Sequence, residues 1–463
     1  MIQTRACLSM ARDASVEGAG GVYGVNARDR RRLRVLIVSH VFPPSNVIGA
    51  VRVGKFAHYL HKAGHDVRIL TVADPSDRSL PLELPAELVT HVSPKRRDDI
   101  FDPIVGLVRR MRTRQRPAFA ADSRSSAAFS APQLQSKGLR AHYYALLQIP
   151  DKNAGWMKAA IQAGRAIVSD WRPDVVFGSA PPVSGLIVAH RIARLCGVPW
   201  IAELRDLWAD NIYYEYPRWR YWIDRLIERS ALGNAAGLVT VSPIWAEMLH
   251  RRYRQPIACV MNGYVEEDYP EVRTQPPPGE VVSIVYTGNI YSGYRDPSPL
   301  FRAIALLGPE RNRIAVHFYG PIVEEVCGLP AAQGVQGQIH VHERVSYRSS
   351  LVLQTQADVL LLLQWADARD AGNIPAKFFE YIGARRPILM LGYERGNLAE
   401  MIRERDAGLV ANDPAVIAEA LRRWIAQRPH GIPPVDPRAR YGMTRAEQFA
   451  KLQEFLTALS HAV

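Results

Sequence analysis

A lysine and a glutamate three residues apart, Lys377 and Glu380 in NIPAKFFEYIGARRPILML (373–391), combine residue types and spacing that could do chemistry. Separated by one helical turn, their side chains become neighbours on a helix surface. Pro375 is expected in the first turn, where its missing N–H is not needed, and Asn373 close to the cap position. Both charged groups would then lie near the positive end of the helix dipole. An ammonium beside free N–H groups can meet phosphate oxygens, while an ionised carboxylate, which only accepts hydrogen bonds, can hold a ribose diol. The pattern suits a nucleoside diphosphate. Taken alone, the pair is better explained as a surface ion pair contributing about 0.2–0.5 kcal/mol, so the elements around it have to decide.

Those elements form two successive series of strand and helix signals, the pattern of two parallel α/β sheets. The first series opens with RVLIVS (34–39) and the loop HVFPPSNVIGA. A helix follows from about Val51, with Val53, Phe56, Ala57 and Leu60 on one face and Gly64 as its stop, before DVRILTV (66–72) returns as a strand. Residues 75 to about 150 break the rhythm. It resumes with a helix near 153–170, the strand DVVFGSA, a helix after Pro182, the strand PWIAEL, a helix near 219–235, and the strands GLVTVS and IACVMN. The proline-rich linker QPPPGE (275–280) leads to the second series: VVSIVYTGN, IAVHFYG, IHVHERV, DVLLLLQ, PILMLGY and AGLVA. The expected layout is a leader (1–32), a first domain (33–274) with a basic insert (94–140), the linker, a second domain (281–436) and a C-terminal helical segment (437–463) that could cross back onto the first domain.

In open parallel sheets ligands sit beyond the carboxyl ends of the strands, so two facing sheets would make an interdomain cleft. Further candidates fall at those ends. After the first strand come Gly49 and Arg52, at an expected helix start where a bare backbone can approach a phosphate or sugar, or where a glycine serves only a tight turn. In GSAPPVSG (178–185), Ser184 opens a helix after a turn stiffened by prolines. ELRDLWAD (203–210) places Glu203, Arg205 and Asp206 at a strand end, where arginine can grip an oxyanion and the carboxylate beside it can orient it or receive a proton; a buried structural ion pair is the competing reading. In YTGNIYSGYRD (286–296), Gly288 and Asn289 can present backbone N–H groups and Arg295 could reach a pyrophosphate, or lie in solvent.

Composition removes several classes. With 48% hydrophobic and 22% charged residues, 463 residues read as a globular chain of two or three domains. Cys7, Cys196, Cys259 and Cys327 are too scattered for a disulfide framework or a zinc site, so no metal is expected and a reducing cytosol fits best. No apolar run reaches the ~18–20 residues of a membrane-spanning helix, and the first 30 residues lack the apolar core of a signal peptide. The formal charge of +13 is concentrated, with eleven Lys or Arg against four Asp between Pro94 and Arg140, where DPIVGLVRRMR could form a short basic amphipathic helix. Together with the aromatic, basic YYEYPRWRYWIDR (213–225), this segment could dock on anionic lipid, unless Trp219 and Trp222 are core residues. No nucleic-acid-binding motif accompanies the charge, and no nucleic-acid partner is expected.

In this order, HVFPPSNVIGAVR, SAPPVSG, ELRDLWAD, VSPIWAEML, NGYVEEDY and NIPAKFFEY resemble family 4 glycosyltransferases of the GT-B fold, above all bacterial enzymes of surface-polysaccharide synthesis that open with a similar HxFPPxxxIGAxR segment. The likeness spans roughly residues 33–75 and 150–460. It implies two Rossmann-like doubly wound parallel-sheet domains, with a nucleotide-sugar donor on the second and a glycan or polyprenyl-linked acceptor on the first. The family's ribose-binding glutamate maps onto Glu380 and a diphosphate-binding lysine onto Lys377. Donor-binding residues are thus expected to be Asn289, Arg295, Asn373, Lys377 and Glu380, catalytic ones Arg205, Asp206 and Lys377, with Gly49, Arg52 and Gly288 letting phosphate approach. A hexosyltransferase retaining anomeric configuration, without metal or cofactor and working in the cytoplasm or on the inner membrane face, is the implied activity. The chain departs from the family at Gly372, where many members carry an earlier glutamate, at TGNIYSG, which replaces a GRL segment, and at the RD of ELRD, where many have histidine. An inactive GT-B scaffold or a nucleotide-sugar epimerase are the alternatives.

Overall fold

The computed structural model describes residues 32–73, 80–94, 139–214, 216–270, 279–290, 293–320 and 323–460. The expected leader, nearly all of the basic segment with its short amphipathic helix, and most of the proline-rich linker lie outside the described residues. The chain divides into two compact units. Among the described residues, the N-terminal unit holds 32–241, 245–260 and 449–460, and the C-terminal unit holds 242–244 and 261–448.

The N-terminal unit is built on seven parallel strands: β1 (Arg34–Ser39), β2 (Asp66–Val72), β3 (Val89–Val92), β4 (Val175–Ala180), β5 (Trp200–Leu204), β6 (Gly237–Thr240) and β7 (Ile257–Cys259), in the order β3-β2-β1-β4-β5-β6-β7. Strands covered on both faces read as unbroken apolar runs, and β1 is buried from Val35 to Ser39. The register fixes Val35 between Val67 and Val175. β3 was not expected. It extends the sheet at its edge, with Val89 opposite Ile69, inside the stretch where the sequence rhythm lapses; four residues with only two buried are too few to leave a periodic signal. The helix Arg445–Ser460 contributes Phe449, Leu452 and Leu456 to the core under this sheet, where Phe449 packs on Phe56 with ring centroids 5.2 Å apart. Gly237 allows the approach, since a Cβ there would lie 2.4 Å from Leu459.

The C-terminal unit repeats the plan with six parallel strands: β8 (Val282–Thr287), β9 (Ile314–Tyr319), β10 (Ile339–His342), β11 (Val359–Leu363), β12 (Ile388–Leu391) and β13 (Gly408–Val410), in the order β10-β9-β8-β11-β12-β13. β11, VLLLL, is buried throughout and lies between two apolar layers, one with Phe301 and Phe318, the other with Phe378 and Phe379. In each unit the strand order reverses next to its first strand, between β1 and β4 and between β8 and β11. A crevice opens beyond the strand ends at such a switch point. The loops after β8 and β11 carry Gly288, Asn289 and Arg295 on one side and the approach to Lys377 on the other.

Candidate functional site

The helix bearing Lys377 and Glu380 runs Ala376–Ala384. Pro375 is its N-cap and no side chain caps it, which corrects the expected placement of Pro375 in the first turn and of Asn373 at the cap. Asn373 instead donates from Nδ2 to the Asp370 carboxylate at 3.0 Å, and Gln364 donates to the carbonyls of both Asp370 and Asn373 at 3.0 Å. Asp370 is buried, which lifts its carboxyl to about 6, against the hydrogen bond from Asn373. This stitching ties the 370–373 loop to the end of β11. The helix start stays open, with first-turn N–H groups that no side chain engages.

Lys377 stands in that first turn with its ammonium 5.2 Å from the centroid of the Tyr286 ring and directly beneath Gly288. A Cβ on Gly288 would lie 2.2 Å from Nζ, and the residue's φ of 126° is itself one that side chains disfavour. Gly288 therefore makes room for the lysine. Its own N–H donates to the Tyr319 carbonyl at 2.7 Å, so the expectation that it presents that group to a ligand is corrected. Burial pushes Lys377 down to about 7, Arg295 adds to the effect, and Glu380 opposes it. Among the described residues no carboxylate comes within ion-pair distance of Lys377, so the surface ion pair with Glu380 is not formed.

Arg295 donates to the Asn289 carbonyl at 3.0 Å, and that carbonyl also accepts from the Tyr286 hydroxyl at 2.8 Å. Arg344 donates to the Asn289 side-chain oxygen at 3.0 Å, so Asn289 braces two guanidinium groups. Glu380 accepts from Gln354 at 3.2 Å, and burial raises its carboxyl while Gln354 and Lys377 draw it back. Gln354 also donates to the Thr287 hydroxyl at 3.1 Å. Beside Arg295 opens a cavity of about 930 Å³, bordered by Tyr294, Asp296, Arg302, Gln364 and Trp365. Arg344, Gln354 and Asp370 escaped the sequence reading: each acts through a partner distant in the chain or hidden in a loop, and none stands in a recognisable motif.

In the N-terminal unit the pairing differs from expectation. Arg52 is buried and donates to Glu203 from Nε at 3.0 Å and Nη2 at 2.8 Å, and to the Val260 carbonyl at 2.8 Å. Glu203 also accepts from the Ser179 hydroxyl at 2.5 Å. Arg52 is thus a structural cation rather than a phosphate group's partner, because its charge, carried on the helix Ile48–Lys62, is neutralised by Glu203 of β5. Gly49 is corrected too: a Cβ there would lie 1.8 Å from Nη1 of Arg205, so the glycine admits that guanidinium. Arg205 is held by the carbonyls of Ala180, at 3.0 Å, and Pro181. Beside it, burial raises the Asp206 carboxyl while Arg205 lowers it. Ser184 begins its helix with its N–H donating to Asp151 at 2.6 Å, so an upstream carboxylate caps that helix. The described residues contain no cluster of three or more His, Cys, Asp or Glu able to hold a metal.

The model of the family described as glycosyl transferase 4-like domain matches residues 49–264. A comparison with curated protein sequences finds no match. Among solved structures, a glycosyltransferase from Rickettsia africae aligns over 94% of this chain and 100% of its own at 13% identity, with a TM-score of 0.58. WaaG, a glycosyltransferase involved in lipopolysaccharide biosynthesis, aligns over 92% and 100% at 14% identity and a TM-score of 0.54. HepE of Anabaena, in complex with UDP and glucose, aligns over 92% and 100% at 10% identity and a TM-score of 0.58. At such identities the structural likeness is one of fold.

Proposed function

We propose that this chain, which has the GT-B fold and matches the glycosyl transferase 4-like domain over residues 49–264, is a glycosyltransferase that moves a sugar from a nucleoside-diphosphate sugar to a glycan or lipid-linked acceptor, with retention of configuration, in cytoplasmic surface-polysaccharide synthesis. The observation that carries the donor assignment is Lys377, an ammonium confined beneath Gly288 and close to Arg295, with no carboxylate in ion-pair range among the described residues. Burial and the nearby Arg295 both disfavour the Lys377 ammonium, and an anion of two or more charges at the open helix start would favour it. A diphosphate is such an anion.

The acceptor hydroxyl attacks the anomeric carbon on the side from which the diphosphate leaves; the bond to the diphosphate oxygen breaks as the new glycosidic bond forms, and the diphosphate takes up the hydroxyl proton. No enzymic nucleophile is then needed. Lys377, Arg295 and the first-turn N–H groups stabilise the charge gathering on the leaving oxygens, an effect worth several kcal/mol (about 2.7–4 for one well-placed donor). Glu380, oriented by Gln354, receives the ribose diol. Arg205 and Asp206 are the proposed acceptor-side groups. The donor class agrees with the UDP held by HepE.

The test is transfer assayed with candidate nucleotide sugars. Lys377→Ala should lower turnover by about 100-fold or more without lowering the melting temperature. Chelation should leave transfer unchanged, and NMR of the product should show the donor's anomeric configuration. Equal transfer by variant and parent removes Lys377 from the mechanism, and an inverted product removes retention.

A further inference from the structure

The helix Arg218–Leu232 in the N-terminal unit is amphipathic the wrong way round. At 3.6 residues per turn, Arg220, Asp224 and Glu228 fall on one stripe, and this charged stripe faces inward, all three being buried. Each is satisfied there. Arg220 donates to Asp224 at 2.8 Å and to the carbonyls of Ala145, Gln148 and Pro150, while Glu228 accepts from the Tyr253 hydroxyl at 2.9 Å and from the Ala209 N–H at 3.1 Å. The opposite stripe carries Arg218, Trp222, Leu226 and Arg229 within an arc of about 80°. Trp222 is 69% exposed and Leu226 70% exposed, which also rules out a core role for Trp222.

Through its contacts with Ala145, Gln148 and Pro150, Arg220 also fixes the helix Leu139–Leu147 alongside, and Trp219 donates from its indole to His142 at 2.7 Å and stacks on that ring. The second helix adds exposed Tyr143, Tyr144 and Leu146. Among the described residues neither Arg218 nor Arg229 is in an ion pair, and both acids of the longer helix are turned inward. The outward face therefore offers an indole, phenols and aliphatic groups ringed by positive charge with no carboxylate from its own helix. A partner must combine apolar depth with negative charge. A second protein surface would have to supply a groove lined with acids, whereas the interfacial zone of an anionic bilayer supplies both, accepting indoles at headgroup level and arginine at the phosphates.

We propose that this face of the Arg218–Leu232 helix, with the neighbouring Leu139–Leu147 helix, docks on an anionic lipid bilayer. It accords with a lipid-linked acceptor but rests on the surface alone, and its test reads no catalysis, so its failure leaves the donor assignment standing. The full chain is centrifuged with vesicles of phosphatidylcholine alone or mixed with phosphatidylglycerol, at low and high salt, beside size-exclusion light scattering. The parent should sediment with the anionic vesicles only, and less at high salt. The double variants Trp222→Ser/Leu226→Ser and Arg218→Glu/Arg229→Glu should each partition about tenfold less. Failure of the parent to sediment overturns the proposal, as does sedimentation of both variants like the parent. A parent dimer that both variants dissociate, with no vesicle binding, would assign the face to a second copy instead.

Discussion

Lys377 shows how a single buried charge can link binding to protons. Its ammonium is held down to about 7 by burial and by Arg295, against an ordinary value of 10.5. A lysine so depressed is largely neutral at pH 8, and on the proposed donor assignment a bound diphosphate, which favours the ammonium, would make it take up a proton. Calorimetric titration with UDP in two buffers of different ionisation enthalpy should show proton uptake at pH 8 that fades toward pH 6, and Lys377→Met should show none. The stability sign is opposite to that of a stabilising ion pair. The unfolded chain keeps this proton up to the ordinary lysine value, so the native state is penalised fully below about pH 7 and the penalty shrinks as pH rises toward 10.5. Lys377→Met should accordingly raise the unfolding midpoint at pH 6 while abolishing the nucleotide response, a combination that a structural lysine would not give.

At the level of elements, the switch point between β8 and β11 and the uncapped Ala376–Ala384 helix frame the proposed donor site, and the Arg445–Ser460 helix supports the sheet of the N-terminal unit from the far end of the chain. Phe449, Leu452 and Leu456 complete a core layer with Phe56 and Phe177. Phe449→Ala should destabilise that unit by about 3–5 kcal/mol, read as a lower midpoint in urea, because the ring is fully buried and the hole left behind cannot close. A cost under about 1 kcal/mol would show that the helix frays from the core. The order of strands and helices was legible because parallel strands buried on both faces spell apolar runs, as in RVLIVS and DVLLLL. β3 was not, since VTHV is short and sits at an edge.

For the whole molecule, binding should be visible as stability. A nucleoside diphosphate present at 100 times its dissociation constant raises stability by about 2.7 kcal/mol, so a thermal-shift series over uridine, guanosine and adenosine diphosphates should single out the base, with inorganic phosphate shifting the midpoint far less. No shift with any of them would count against a nucleotide donor. No helix of the described residues is long and apolar enough to cross a membrane. The sequence by itself determined the two parallel-sheet units, the loops that carry charge at strand ends and the Lys377 and Glu380 pair, because periodicity and turn chemistry are local properties of the chain. Tertiary structure alone decided which of those charges remain for a ligand. Arg52 is consumed by Glu203, 151 residues away, and Asn373 by Asp370, while Lys377, beneath a glycine from another strand end, has no carboxylate within ion-pair distance among the described residues. Whether a charge is neutralised or left to bind depends on which distant groups the fold brings within a few ångströms, and spacing along the chain does not encode that distance.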